Sequence, residues 1–337
     1  MAITTQEQWQ KLYHFADEIY KIKPWGFLYE DQIIKIVYPK TNIEYYVSVM
    51  GSAGEHFSVT AYEGDQSLNN FHKLLNSVSE NEKMQLILET TQVILSFENN
   101  EFLEKEDKKI IKDLDLKYRG KKAYPCFRIQ EPGYLRARPD SDQADLMIFL
   151  YEKCLQVLSY VNDHKTMEKG GEYGLPEIQS LENAEWIDVE EEIQNTNIEI
   201  LSAEFDQKMV DSIKKLPFSS DEYVLFSFII PMPILEKKPI YGYSFLILDT
   251  KTSMIVYMDT IAPKPDLRSM YKDYAKHVEK FFKKIKHRPK KLIVTSEFYA
   301  DLLVDFFNAV EIYIYIVNNT KELEKIQNSL YDHFLHG

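Results

Sequence analysis

Apolar and polar positions alternate in two rhythms along this chain, and the rhythms mark its elements. Near the start, Trp9, Leu12, Tyr13, Ala16, Ile19 and Tyr20 recur at helical intervals. Thr5 and Gln8 stand at capping-box spacing before them, and Pro24 ends the run. Three short runs rich in β-branched and aromatic residues follow: Ile33–Tyr38, Tyr45–Met50 and Phe57–Tyr62. Gly51-Ser52-Ala53-Gly54 reads as a hairpin loop between the second and third, the plain alternative to a small-anion cradle. The pattern then predicts helices over Ser67–Val78 and about 82–89, a strand over Gln92–Phe97, a helix over Glu104–Leu114 and a strand over Cys126–Ile129. Pro132-Gly133 suits the centre of a type II turn, and the strand reading resumes over Tyr134–Ala137. A long helix from Asp140 to Asn162 closes this half, with Met147, Leu150, Tyr151, Cys154, Leu158 and Val161 on one side.

Lys169-Gly170-Gly171 and Gly174 break the pattern. Glu182, Glu185, Asp188, Glu190, Glu191 and Glu192 then form a short acidic stretch, read as a solvated linker. The expected division is a mixed α/β domain over 1–165, an acidic linker region over 166–220 and a second α/β domain over 221–337.

The second half opens with Tyr223–Ile230, apolar on both faces and so expected at the centre of a sheet. Tyr243–Leu248 and Met254–Met258 follow as strands joined by Thr250–Ser253. A helix over about 266–286, a strand at Leu292–Val294, a helix ending near Ala309, a strand at Ile312–Val317 and a last helix complete it. That last helix has Asn319 and Glu322 at capping-box spacing, and turns Leu323, Ile326, Leu330 and Phe334 inward. A three-strand meander followed by two strand–helix units resembles the ribonuclease H-like fold. The fold class is therefore α/β, α+β in its first half, with two three-layer domains. The first half reads in nearly the same order, so the halves are expected to be distant structural copies.

Composition fits a globular chain: 337 residues, 45% apolar, 28% charged and 13% aromatic. The net charge of −13 argues against general nucleic-acid binding. Only 11 glycines leave little room for phosphate loops. Cys126 and Cys154, with no CxxC spacing, offer neither a disulfide framework nor a thiolate zinc site and read as buried thiols. The first ten residues carry no signal-peptide pattern, and the longest uncharged run, Tyr223–Leu235, is too short to span a bilayer. A cytoplasmic protein is expected.

Candidate chemistry is thin. Ribonuclease H-like nucleases need carboxylates on the first strand, in the first helix and after the fourth strand, to hold two metal ions. The first strand here carries none, and Asp221 and Glu222 precede it. Glu297 follows the fourth strand, and Asp249 and Asp259 lie near strand ends; these three are the candidates for a divergent metal-dependent phosphodiester hydrolase. Glu297, Asp301 and Asp305 share one helix face, read as solvated. The basic run from Lys280 to Lys291 offers Lys283, Lys284, Lys286, Arg288 and Lys290 to an acidic partner or locally to nucleic acid, against the plainer reading of a cationic helix end. The eight histidines form no HxH or HExxH; the spacing of His333 and His336 allows one helix face, at the chain's last helix, and no metal site is expected. Trp25, Tyr29, Tyr45, Tyr46 and Tyr62 would mark a protein-interaction face if exposed together. The leading expectation is a non-enzymatic binding or regulatory protein with no cofactor or metal; a protein partner fits better than nucleic acid.

Trp9, Leu12 and Ala16, Pro24-Trp25, Tyr46 to Gly51 with Gly54-Glu55, Tyr62-Glu63-Gly64, Pro125 with Phe127-Arg128, Pro132-Gly133-Tyr134 and Arg288-Pro289 together resemble an uncharacterised bacterial family that joins two domains of unknown function. That family's pattern continues Pro-Trp after Pro-Gly-Tyr, where this chain has Leu135-Arg136-Ala137. The resemblance implies no activity, cofactor or catalytic residue.

Overall fold

The computed structural model describes residues 2–76, 80–167, 173–177, 184–195, 200–317 and 321–336. Lys169 to Gly171, Glu182 and Asn319, and the side chains of Glu322, His333, Phe334 and His336, lie outside what is described. The chain divides into two compact units: Met1–Glu131 with Arg136–Ile198, and Pro132–Leu135 with Glu199–Gly337.

The first unit carries one sheet of six strands: β1 (Ile33–Tyr38), β2 (Ile43–Met50), β3 (Phe57–Glu63), β4 (Gln92–Glu98), β5 (Tyr124–Gln130) and β6 (Ala184–Ile187). Their order is β5-β4-β3-β2-β1-β6, and each neighbouring pair is antiparallel. Helices α1 (Gln6–Ile22) and α5 (Ser141–His164) pack together on one face. Both begin in reciprocal caps: Gln8 N donates to Thr5 Oγ1 and Thr5 N to Gln8 Oε1, and Asp140 and Gln143 repeat the exchange. Trp9, Leu12, Ala16, Met147, Leu150, Tyr151, Cys154 and Leu158 are buried there, with Val47, Leu95 and Phe127 of the sheet. The other face is covered by α2 (Gly64–Asn76) and α6 (Val189–Asn195), whose Leu68, Phe71 and Val189 pack on Ile33, Tyr46 and Tyr62. Helix α3 (Glu80–Leu88) follows α2 between β3 and β4, and α4 (Lys105–Asp113) lies between β4 and β5.

In the second unit, β7 (Tyr223–Ile234), β8 (Ile240–Asp249) and β9 (Ile255–Ile261) form an antiparallel meander. After it, β10 (Lys291–Val294) lies parallel to β7, and β11 (Tyr313–Ile316) lies parallel to β10. The order is β9-β8-β7-β10-β11, so β7 is central, as its apolar sequence requires. The expected single helix over 266–286 is two, α8 (Leu267–Lys272) and α9 (Tyr274–Ile285), separated at Asp273. Besides these, α7 (Gln207–Lys214) and α10 (Glu297–Ala309) precede and follow in chain order. Helix α11 (Lys321–His336) covers one face of the sheet, with Leu323 against Phe226, Phe228, Leu246 and Leu248. The opposite face carries α9, where Phe281 meets Tyr223 and Tyr257 edge-on and Tyr274 meets Phe245.

Three expectations change here. The halves are not structural copies: one sheet is wholly antiparallel and the other mixed. The reason lies in the connections. The α2–α3 pair between β3 and β4 crosses the sheet and comes back, so β4 starts at the end where β3 stopped. The helical crossover after β9 delivers β10 to the same end as the start of β7. The acidic stretch, in turn, is more than linker. Its Ala184–Ile187 adds to β1 in register, Ile33 opposite Ile187 and Ile36 opposite Ala184. Tyr134–Ala137 forms only isolated bridges; Tyr134 pairs with Ile240 of the second unit, to which Pro132–Leu135 belongs.

Candidate functional site

The three carboxylates proposed for metal chemistry occupy separate places. Asp249 ends β8 opposite Tyr223, the first residue of β7. Its carboxylate accepts from the backbone of Lys251 and Thr252 and from the Thr252 hydroxyl. Those bonds, that of Thr252 N foremost, hold its carboxyl below the usual range, the signature of a turn cap. Asp259 lies on edge strand β9 opposite Phe245. It accepts from His277 Nδ1 at 3.0 Å and has Lys280 at 3.6 Å. Glu297 starts α10, exposed, just past β10. Strands β9 and β10 are three places apart in the sheet, roughly 14 Å at the usual strand spacing. Among the described residues, no group of three or more His, Cys, Asp or Glu is arranged to hold a metal ion. Asp221 is held by Ser219 and by Lys251 at 2.9 Å, and both lower its carboxyl pKa. Asp301 and Asp305 are exposed with Glu297, and Ser202 Oγ lies 3.5 Å from Asp305.

The basic run is largely engaged within its own unit. Lys280 faces Asp259, and Lys283 pairs with Glu279 at 2.7 Å. Lys284 donates to the Val256 carbonyl and sits over the Tyr257 ring. Lys291 pairs with Glu222. Arg288 is buried at 6% exposure: its guanidinium donates to the carbonyls of Val310 and Leu216 and lies 3.9 Å from the Phe218 ring centre. It joins the ends of α7 and α10 and offers no outward charge. Lys286, the left-handed cap of α9, and Lys290 are exposed.

Of the aromatic set, Trp25, Tyr45, Tyr46 and Tyr62 are buried, and Trp25 stacks on Phe57 at 4.4 Å. Tyr29 alone of the five is exposed, at 51%. The Gly51–Gly54 loop is a hairpin, closed by Gly54 N donating to Gly51 O. Both thiols are buried and free; burial pushes Cys126 up to about 11 and Cys154 up to about 12.

The feature missed in the sequence is an open groove of about 1000 Å³ in the first unit. Its floor is the start of β1 at Ile33 beside Trp186 and Ile187 of β6. One wall is the last turn of α2, with His72, Leu75 and Asn76; the other is the Tyr29–Gln32 turn, closed by Tyr29 N donating to Gln32 Oε1. Trp186 Nε1 donates to the Pro176 carbonyl and so pins the 175–177 segment at the rim. Beside this floor, Lys35 anchors the acidic stretch. Its Nζ lies 2.7 Å from Glu192 and 3.0 Å from Glu44, with Glu185 at 3.8 Å. Burial works against its charge, and the bonds to Glu192 and Glu44 outweigh that, so its pKa stands above the usual lysine value. Tyr46 OH adds a bond to Glu44 at 2.8 Å. Ala184, Trp186 and Ile187, an apolar group inside the acidic stretch interrupted only by Glu185, were the available signal that this stretch is a buried element.

Residues 9–174 match the family model of a domain of unknown function, DUF7309, and residues 209–331 match that of a second, DUF6930. The chain thus pairs two domains of unknown function, as in the uncharacterised family it resembles. No curated protein and no solved structure matches it.

Proposed function

We propose that this two-domain chain is a non-enzymatic binding or regulatory protein, its second unit a ribonuclease H-like scaffold without the acids of the nucleases. The carrying observation is β7. It holds the sheet's centre, where a metal-dependent nuclease places its first carboxylate, and from Tyr223 to Ile234 it presents only apolar and uncharged side chains. The strand order and the sheet's place between α9 on one face and α11 on the other support the scaffold; fold alone assigns no activity. Asp249 serves a turn, Asp259 a histidine, and Glu297 stands apart from both. Two free, buried cysteines suit a reducing compartment, and we place the protein in the cytoplasm. No helix among the described residues is long and apolar enough to cross a membrane.

The test is incubation of the purified chain with manganese and, separately, with single-stranded DNA and an RNA–DNA hybrid carrying a fluorescent label. No metal-dependent cleavage is expected, nor saturable manganese binding by calorimetry. Cleavage abolished by Asp259→Asn or Glu297→Gln would overturn the reading in favour of a divergent hydrolase. Nucleic-acid docking on Lys283, Lys286 and Lys290 is the second reading, and heparin retention that falls steeply with salt would support it.

A further inference from the structure

The groove of the first unit carries charge of one sign. Glu30, Asp31, Glu177, Asp188 and Glu190 line it, and among its described lining residues there is no lysine or arginine. Asp188 is partly committed, since it accepts from Glu191 N at the start of α6. Lys73 follows His72 on α2 but is not in the lining. The wall made by His72 and Asn76 is the C-terminal turn of α2, the negative end of a 13-residue helix. The α2 end and the carboxylates act in the same direction; the first turn of α6 is a positive end, but Asp188 caps it, so the carboxylates leave the lining net negative and an anionic ligand would be repelled.

The same groove has apolar faces. The Tyr29 ring and the Leu75 side chain are exposed in it, and Trp186 is fixed there by its bond to Pro176. A negative field beside aromatic and aliphatic surface suits a cation on an apolar stem. Lysine and arginine side chains have that form: the stem packs, and the charged head rests against ring faces and carboxylates. The space is open and at the upper end of small-molecule pocket sizes, so several side chains of an extended segment fit it better than one enclosed metabolite.

We propose that this groove receives a short basic, partly apolar segment of a protein partner. The assignment deepens the binding reading but stands on the first unit alone, so the manganese assay decides one and the following titration the other.

The probe is a capped hexapeptide of alternating lysine and leucine, titrated calorimetrically into the full chain at low salt. Saturable one-site binding is expected. Substituting Glu30→Gln, Asp31→Asn and Glu177→Gln together should weaken it about tenfold at low salt and flatten its dependence on salt. Tyr29→Ala should weaken it too. A control triple substitution on the same unit, Glu7→Gln, Asp113→Asn and Glu152→Gln, should leave affinity unchanged. Thermal melts confirm that the variants fold. Absence of saturable binding, or equal loss in both triple variants, would overturn the proposal, the latter because net charge alone would then explain the attraction. Equal affinity for spermine, a cation without apolar side chains, would also overturn it.

Discussion

Arg288 donates to the carbonyl oxygen of Val310 at 2.6 Å, with only 6% of the residue exposed. A residue from the most basic run of the chain is thus a tie between helix ends, its plane set against the Phe218 ring. Charge-assisted bonds to buried carbonyls contribute more than neutral ones, and losing them strands the acceptors. Arg288→Ala should lower stability by about 2–4 kcal/mol, read from urea melts. Lys290→Gln should leave it within about 0.5 kcal/mol. Lys286 has φ 60, and Lys286→Gly should stabilise by about 0.5–1 kcal/mol by relieving a left-handed side chain. A destabilising Lys286→Gly would show that this lysine's side chain makes contacts that matter.

Asp107 and Arg128 form a two-point pair, at 3.0 and 2.6 Å, with Asp107 3% exposed. The pair joins the first turn of α4 to β5. Removing one charge of a buried pair costs about 3–5 kcal/mol. Glu104 also reaches Arg128, at 3.2 Å, so Asp107→Asn should fall near the lower end. A loss below about 1 kcal/mol in the denaturation midpoint would show that Glu104 replaces Asp107 fully.

His277 should give the second unit a pH response. Burial lowers its pKa below the ordinary 6.5, against the raising effect of Asp259, and Lys280 lowers it further. The folded state therefore binds fewer protons than the unfolded state as pH falls through that range. Its contribution is full above about 6.5 and is lost below it. Melting temperatures from pH 7.5 to 5 should fall more steeply for the wild type than for His277→Gln. Parallel slopes would contradict this placement of the ring.

Cys126 and Cys154 should resist modification in the native state. Both thiols are buried with raised pKa values, so little thiolate forms and none is accessible near neutral pH. A disulfide reagent should react at the rate of unfolding, with both thiols released together in denaturant. As pH rises past the ordinary thiol range, unfolded thiolates form first, and stability should decline. Fast native labelling of either cysteine would place it at the surface.

Much of this architecture is written locally. The capping pairs Thr5–Gln8 and Asp140–Gln143, the apolar stripe of α1 and the doubly apolar β7 act over a few residues, and each element formed where its pattern lies. Gly133 takes φ 80 in the turn expected of Pro132-Gly133, and a side chain there would meet Pro263 at 2.8 Å. The break at Asp273 inside one apolar periodicity was not legible, because α8 and α9 both bury a face and the pattern runs through the junction.

The sequence by itself determined most of the elements outside 166–220, the α/β class, the central place of Tyr223–Ile230 and the absence of an acid on it, since these follow from burial and periodicity within a segment. Only the tertiary structure decided what pairs with what. It set Lys35 among Glu44, Glu185 and Glu192 and so turned an acidic stretch into a sheet edge; it buried Arg288 and separated Asp249, Asp259 and Glu297. A charge reads alike in a solvated loop and in a buried pair until a distant partner fixes its surroundings. Its role is therefore a property of long-range contacts and not of its neighbours in the chain.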